Sequence, residues 1–152
     1  MSWEKDVGIN RVIHYPGSME VEKYVYTPGV HGLEFAKALK NGKILGMKCK
    51  DTVYVPPLTL CPDHSEGELV EVKGPWRVVT FTIVTKTMNG DPLEEPEILA
   101  VVKPDGVEGG IIHRIKAGKD IYIGMKVKPV FKREEERRGT INDILYFEPH
   151  SE

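Results

Sequence analysis

Cys49-Lys50-Asp51-Thr52-Val53-Tyr54-Val55-Pro56-Pro57-Leu58-Thr59-Leu60-Cys61-Pro62-Asp63-His64 is the stretch on which the architecture turns. A complete zinc ribbon sets two C-x-x-C turns about a dozen residues apart, so that four ligands meet tetrahedrally around one ion. Here the second turn is a C-x-x-H, Cys61-Pro62-Asp63-His64. The first retains only Cys49, with Thr52 where its second cysteine would fall. The pattern predicts a degenerate ribbon. Cys49, Cys61 and His64 are its candidate zinc ligands, with Asp51, Asp63 or water as the fourth. The competing reading is a ribbon that has lost its metal and keeps both cysteines as small buried hydrophobes. Both stay open at this point. A closed zinc site of this kind would be structural and would activate no water.

The chain has 152 residues, 40% of them hydrophobic, enough for one ordinary domain or two small ones. Its 21 Lys and Arg face 23 Asp and Glu, a net charge of -2. A dedicated nucleic-acid binder normally carries a basic excess that displaces phosphate counterions, and this chain has none. Two cysteines without an N-terminal apolar run point to a reducing cytoplasm. Their spacing would permit a disulfide, but the ribbon frame favours thiol or thiolate. No stretch approaches the ~18 apolar residues of a membrane span, and Ser2-Trp3-Glu4-Lys5-Asp6 is no signal peptide. A soluble, cytoplasmic protein is expected.

Residues 1–30 mix Pro16-Gly17 and Pro28-Gly29 turns with Val12, Ile13, Tyr15, Val21, Tyr24, Val25 and Tyr26, a composition too apolar for a free tail. A helix is predicted at about 30–41, where Leu33, Ala36 and Leu39 recur and Asn41-Gly42 supplies the stop. From about residue 69 the pattern is β. Val79, Phe81 and Ile83 alternate with Thr80 and Thr82, predicting an apolar face on the first strand. Asp91–Pro96 is expected as a stiff acidic loop after the Asn89-Gly90 turn. Further strands are expected at 97–103, 109–115, around Met125–Phe131 and at 141–147. Five strands joined by short turns predict a small closed barrel of the OB type, with a β-sandwich as its competitor. The segment Lys132–Arg138 is expected as a solvated hairpin tip. The glycines of Asp105–Gly110 make a hairpin rather than a phosphate cradle, because no helix and lysine follow.

Taken in order, these pieces resemble a family of acyl-CoA-associated proteins, first catalogued as a domain of unknown function. Its members combine an N-terminal helix, a rubredoxin-like zinc ribbon and a C-terminal OB-fold. Lys40-Asn41-Gly42-Lys43-Ile44-Leu45-Gly46 is similar to the family's L-x-x-G-K-L-x-G approach to the first knuckle. Val53-Tyr54-Val55-Pro56-Pro57 resembles its aromatic and double-proline link, and Cys61-Pro62 its second knuckle. Trp76–Thr85 is like its first long barrel strand, Ile123-Gly124-Met125-Lys126-Val127 like its I-G-M-x-V strand, and Phe147-Glu148-Pro149 like its closing F-x-P. The chain departs from the pattern at Thr52, at His64 in place of the fourth cysteine, and at Leu58 in place of an arginine. The division that follows is an N-terminal extension and helix (1–42), a degenerate ribbon (43–68) and an OB-fold domain (69–152).

The resemblance implies a non-catalytic scaffold in lipid, polyketide or isoprenoid metabolism. Such a subunit binds a CoA thioester and associates with a thiolase or a hydroxymethylglutaryl-CoA synthase-type enzyme. Trp76, Arg77, Lys126 and Lys128 are the candidate acyl-CoA-binding residues, as a stacking ring with phosphate-facing cations. Phe35 and Leu39 on the helix are the candidate docking residues for the partner enzyme. The alternative is a single-stranded nucleic-acid-binding OB-fold, which the charge balance disfavours. A stand-alone enzyme would need a nucleophile such as Cys61 with His64. No complete set of catalytic groups is present, and neither G-x-S-x-G nor H-E-x-x-H occurs. His14, His31, His113 and His150 are scattered without ligand spacing.

Overall fold

The computed structural model describes residues 25, 27–118 and 120–150; the apolar N-terminal stretch up to residue 24 lies outside them. Helix α1 spans Gly29–Lys40 and ends where Gly42 adopts a left-handed conformation (φ 70°). Gly42 N–H donates to Leu39 O and Lys43 N–H to Ala38 O, satisfying carbonyls that the last turn leaves open. The buried stripe is Ala38 and Leu39, with Phe35 packed beside them. The expected Leu33–Ala36–Leu39 row is therefore corrected: Leu33 is 47% exposed. An i, i+3, i+4 stripe follows the helical pitch better than strict threes.

The ribbon follows as β1 (Leu45–Cys49), β2 (Thr52–Val55) and β3 (Glu68–Glu71). β1 pairs antiparallel with both β2 and β3. The barrel comprises β4 (Trp76–Lys86), β5 (Pro92–Pro104), a short β6 (Val107–Gly109), β7 (Ile111–Arg114), β8 (Lys126–Phe131) and β9 (Ile144–Pro149). Its sheet runs in the order β7-β5-β4-β8-β9. The two ends meet through a parallel bridge, Ile115 to Phe147, with Lys116 N–H donating to Phe147 O at 2.8 Å. This closure makes the five-stranded OB-type barrel and removes the sandwich.

Several expected boundaries move. The segment expected as an acidic loop is already strand, because β5 begins at Pro92. The third barrel strand is interrupted at Gly110, and its first part, β6, leaves the barrel to pair in parallel with β2 (Val53 with Val107, Tyr54 with Glu108, Val55 with Gly109). Gly110 N–H then donates to Val55 O at 2.7 Å. At Gly109 (φ 87°) a Cβ would strike the Val55 carbonyl, so glycine is what lets the barrel and ribbon backbones meet. The last strand starts at Ile144, after a 3-10 turn at Ile141–Asp143.

The predicted apolar face of β4 is also wrong. Val78 pairs with Val102 but Thr80 with Val101, so β4 bulges between them. One extra residue flips the side-chain alternation. The inward residues become Trp76 and Val78 before the bulge and Phe81 after it, while Val79 falls outside the core and Ile83, on the same face as Phe81, is 47% exposed. A single core joins Leu39, Ile44 and Val55 to Trp76, Val102, Val127, Ile144 and Phe147 of the barrel. The Trp76 and Phe147 rings lie 5.4 Å apart at its centre.

Candidate functional site

Arg77 on β4 sits directly opposite Lys126 on β8. The placement sets two cations side by side at one edge of the barrel. The Arg77 guanidinium donates from Nε to Asp105 Oδ1 at 2.7 Å and from Nη1 to Gly124 O at 3.3 Å, which fixes its plane. Tyr122, Gly124, Met125, Pro149 and His150 complete a groove of about 440 Å³ around the two cations. Tyr122 is 59% exposed and offers an open ring beside them. A concave site with two cations and an accessible aromatic face suits an anion carrying a flat ring.

Of the four residues expected to bind acyl-CoA, the groove brings together Arg77 and Lys126 only. Trp76 is 2% exposed and packed on Phe147, so its indole is core and offers no stacking surface. Neighbouring residues on a strand face opposite ways, and here Arg77 takes the outer side while Trp76 takes the inner. Lys128 pairs with Glu148 at 3.3 Å and does not line the groove. Tyr122 is the ring that sequence reading missed; it lies in an irregular segment with no periodic signal.

The expected metal set does not fit a metal. Cys49 and Cys61 are joined by a disulfide, with Cα atoms 5.6 Å apart. That corrects the expectation of free thiols, and it removes two thiolates from the candidate set. Met47, which is fully buried, packs with both cysteines beside Tyr54 and Leu69. Asp63, one of the candidate fourth ligands, is bound to Lys50 Nζ at 2.7 Å and accepts from Ser65 Oγ at 2.6 Å. The Lys50 ammonium and the Ser65 donors hold its carboxyl far below the usual range, and Asp63 in turn raises Lys50. His64 is exposed, in a left-handed turn (φ 64°), with its N–H donating to Cys61 O. Among the described residues no three His, Cys, Asp or Glu side chains are grouped to hold an ion.

The docking expectation changes too. Leu39 is 1% exposed and belongs to the core, and Phe35 packs against it, because both lie on the inner stripe of α1. The exposed apolar residues here are Val30 (77%), Leu33 one helical turn on, and Leu60 on the ribbon loop. His31 ties the two elements: its Nδ1 lies 2.9 Å from Leu58 O, and its ring with Pro57, Thr59 and Leu60 borders a shallow cleft.

The Lys132–Arg138 segment is more ordered in its contacts than a solvated tip. Arg137 donates from Nε to Lys132 O at 2.8 Å and lies 5.5 Å over the Phe131 ring, beside Gly42 at the C-terminal end of α1. Asp143, 1% exposed, was not anticipated. Burial alone would raise its carboxyl. The backbone N–H groups of Arg138, Gly139 and Thr140, and the Lys132 charge, outweigh that and hold it below its ordinary value. Its signal was available as the capping-box spacing Thr140-Ile141-Asn142-Asp143.

The fold and these sites define a ribbon-and-barrel protein, and comparison with known proteins agrees. Residues 36–68 match the family model described as ChsH2, rubredoxin-like zinc ribbon domain. A DUF35 domain-containing scaffold protein of Methanocaldococcus jannaschii is 29% identical over 116 residues, covering 70% of this chain and 81% of its own. A protein of unknown function from the DUF35 family of Sulfolobus solfataricus superposes with a TM-score of 0.59 at 29% identity, over 67% of this chain and 78% of that one. The structure described as Ltp2-ChsH2(DUF35) aldolase matches with a TM-score of 0.56 over 76% of this chain and 91% of that one, at 20% identity, a likeness of fold. The chain is thus similar to DUF35 proteins over most of its length, and its residues 36–68 to their rubredoxin-like ribbon.

Proposed function

We propose that this chain is a non-catalytic scaffold subunit that holds a CoA thioester for a partner enzyme acting on acyl-CoA. The observation that carries the reading is the opposed Arg77–Lys126 pair in one groove with Tyr122. Two cations lining one groove suit an anionic ligand, and the phosphates of CoA supply such an anion. Tyr122 is placed to stack on the adenine. The scaffold name of the Methanocaldococcus relative supports the non-catalytic part. The bond chemistry belongs to the partner, for which a thiolase or a hydroxymethylglutaryl-CoA synthase-type enzyme is the proposed class. The subunit's contribution is binding and orientation.

In this reading the parts divide the work. The extension and helix (1–42) with the ribbon (43–68) face the enzyme through Val30, Leu33 and Leu60, and the barrel (69–152) presents the CoA groove. No helix among the described residues is long and apolar enough to cross a membrane. The test is capture of tagged protein from its own cell extract, with mass spectrometry of what is retained. A thiolase or synthase-type enzyme is expected with the wild type and absent with Val30→Asp/Leu33→Asp. Recovery of nucleic acid or ribosomal proteins, with no acyl-CoA enzyme, would overturn the reading and favour the nucleic-acid alternative.

A further inference from the structure

The ribbon matches a zinc domain, yet its residues do not fit zinc. We propose that a disulfide between Cys49 and Cys61 replaces the metal as the cross-link of this ribbon, and that the ribbon binds no zinc. The inference is independent of the CoA groove. It rests on the placement of the bond, the packing against it and the engagement of Asp63. Cys49 ends β1 and Cys61 opens the second knuckle, so their bond joins the same two turns that a metal would join. Met47, Tyr54 and Leu69 pack against the bond, and a Cβ on Gly67 would strike Met47 Sδ. With both thiolates spent on the bond, and no three His, Cys, Asp or Glu side chains grouped among the described residues, a divalent ion lacks a ligand set. Asp63, one of the two carboxylates at the knuckles, is engaged by Lys50 and Ser65 instead. That ion pair links the same two turns as the disulfide.

The chemistry balances as thiol–disulfide exchange. The Cys49 and Cys61 thiols give up two protons and two electrons as the S–S bond forms. A small-molecule or protein disulfide accepts them and leaves as two thiols. The bond closes the loop that carries Pro57, Leu58 and Leu60, and His31 of α1 leans on that loop at Leu58 O. Reduction therefore loosens the seat of the helix as well as the ribbon, without any ion to release.

Cells are lysed directly into N-ethylmaleimide without reductant, and the purified chain is taken for intact mass and elemental zinc. The expected result is a chain with no maleimide adduct, two hydrogens lighter than after reduction, and zinc far below one per chain. Two adducts on most chains, or zinc near one per chain, would overturn the proposal. Melting curves give the second arm. Reductant is expected to lower the wild-type Tm by roughly 6–12 °C, the effect of opening a short cross-linked loop in a chain of this size. A chelator is expected to leave it unchanged, and Cys49→Ser/Cys61→Ser to remove the response to reductant. A wild-type Tm indifferent to reductant, or lowered by chelator, refutes the replacement even if the double variant fails to fold.

Discussion

Asp143→Ala removes a buried carboxylate on which the β8–β9 connection is built. Its Oδ1 accepts from Arg138 N–H at 3.0 Å, and its Oδ2 from Gly139 N–H at 2.6 Å and Thr140 N–H at 3.2 Å. Alanine leaves those three donors without their acceptor and deletes the capping box of the 3-10 turn. A cap alone is worth about 1 kcal/mol, and hydrogen bonds to a charged group about 1.5–3 kcal/mol each. The loop can rehydrate part of what it loses, so the net cost is about 3 kcal/mol. In a chain of this length that corresponds to a fall in Tm of roughly 6–12 °C. Urea denaturation of wild type and variant gives the number directly, and Asp143→Asn, which keeps one acceptor, should fall between them. The pH dependence has a definite sign. The folded carboxyl is held below its ordinary value, so its contribution is complete above the unfolded value near pH 4 and is lost as pH falls through the folded one. The gap between wild type and Asp143→Ala should therefore close in acid. A loss under about 1 kcal/mol at neutral pH, or a gap that widens in acid, would refute the reasoning.

Burial lowers the pKa of His113, whose Nε2 lies 3.4 Å from Ile141 O and whose ring meets Phe147 edge-on. Below about pH 6.5 the unfolded chain takes up a proton that the folded chain resists, so stability should decline with acid there. His113→Gln should flatten the stability profile between about pH 5 and 7, and equal slopes would contradict the assignment. Gly67→Ala should destabilise the ribbon by about 1–3 kcal/mol, because its Cβ meets the Met47 thioether and lies 2.9 Å from Cys61 Sγ. Met47→Ala in the same background should recover part of that loss, and a purely additive pair in calorimetry would argue against the clash.

The order of ribbon then barrel was legible because its markers are local: cysteine spacing, the double proline, and alternating strands bounded by Gly and Pro. The helix end was legible for the same reason, since Asn41-Gly42 acts on its own backbone. What failed depended on partners distant in sequence. The β4 bulge is set by its register with β5, and it takes Val79 off the face shared by Phe81 and Ile83. The pairing of β6 with β2 needs the ribbon and barrel already folded together. In the candidate site, Arg77 and Lys126 share one groove because charged side chains on a strand keep to its solvent face. Trp76 was misjudged because a tryptophan at the start of a strand suits either a core or a stacking platform, and only the position of Phe147 decides. The cysteines were expected as zinc ligands or buried thiols, and they are joined to each other. Their joining agent depends on the fate of the missing ligands, to which Met47 and Asp63 contribute more than the motif itself.

The most direct test of the scaffold account is calorimetric titration of acetyl-CoA into the purified chain, wild type against Arg77→Ala/Lys126→Ala. Two charge-assisted contacts to phosphate correspond to at least a tenfold weakening when both are removed. The account predicts saturable one-to-one binding by the wild type, weakened by that margin in the double variant while its melting curve stays cooperative, and unchanged in Lys128→Ala. Affinity indifferent to Arg77 and Lys126, or no saturable binding by the wild type at millimolar ligand, would contradict it.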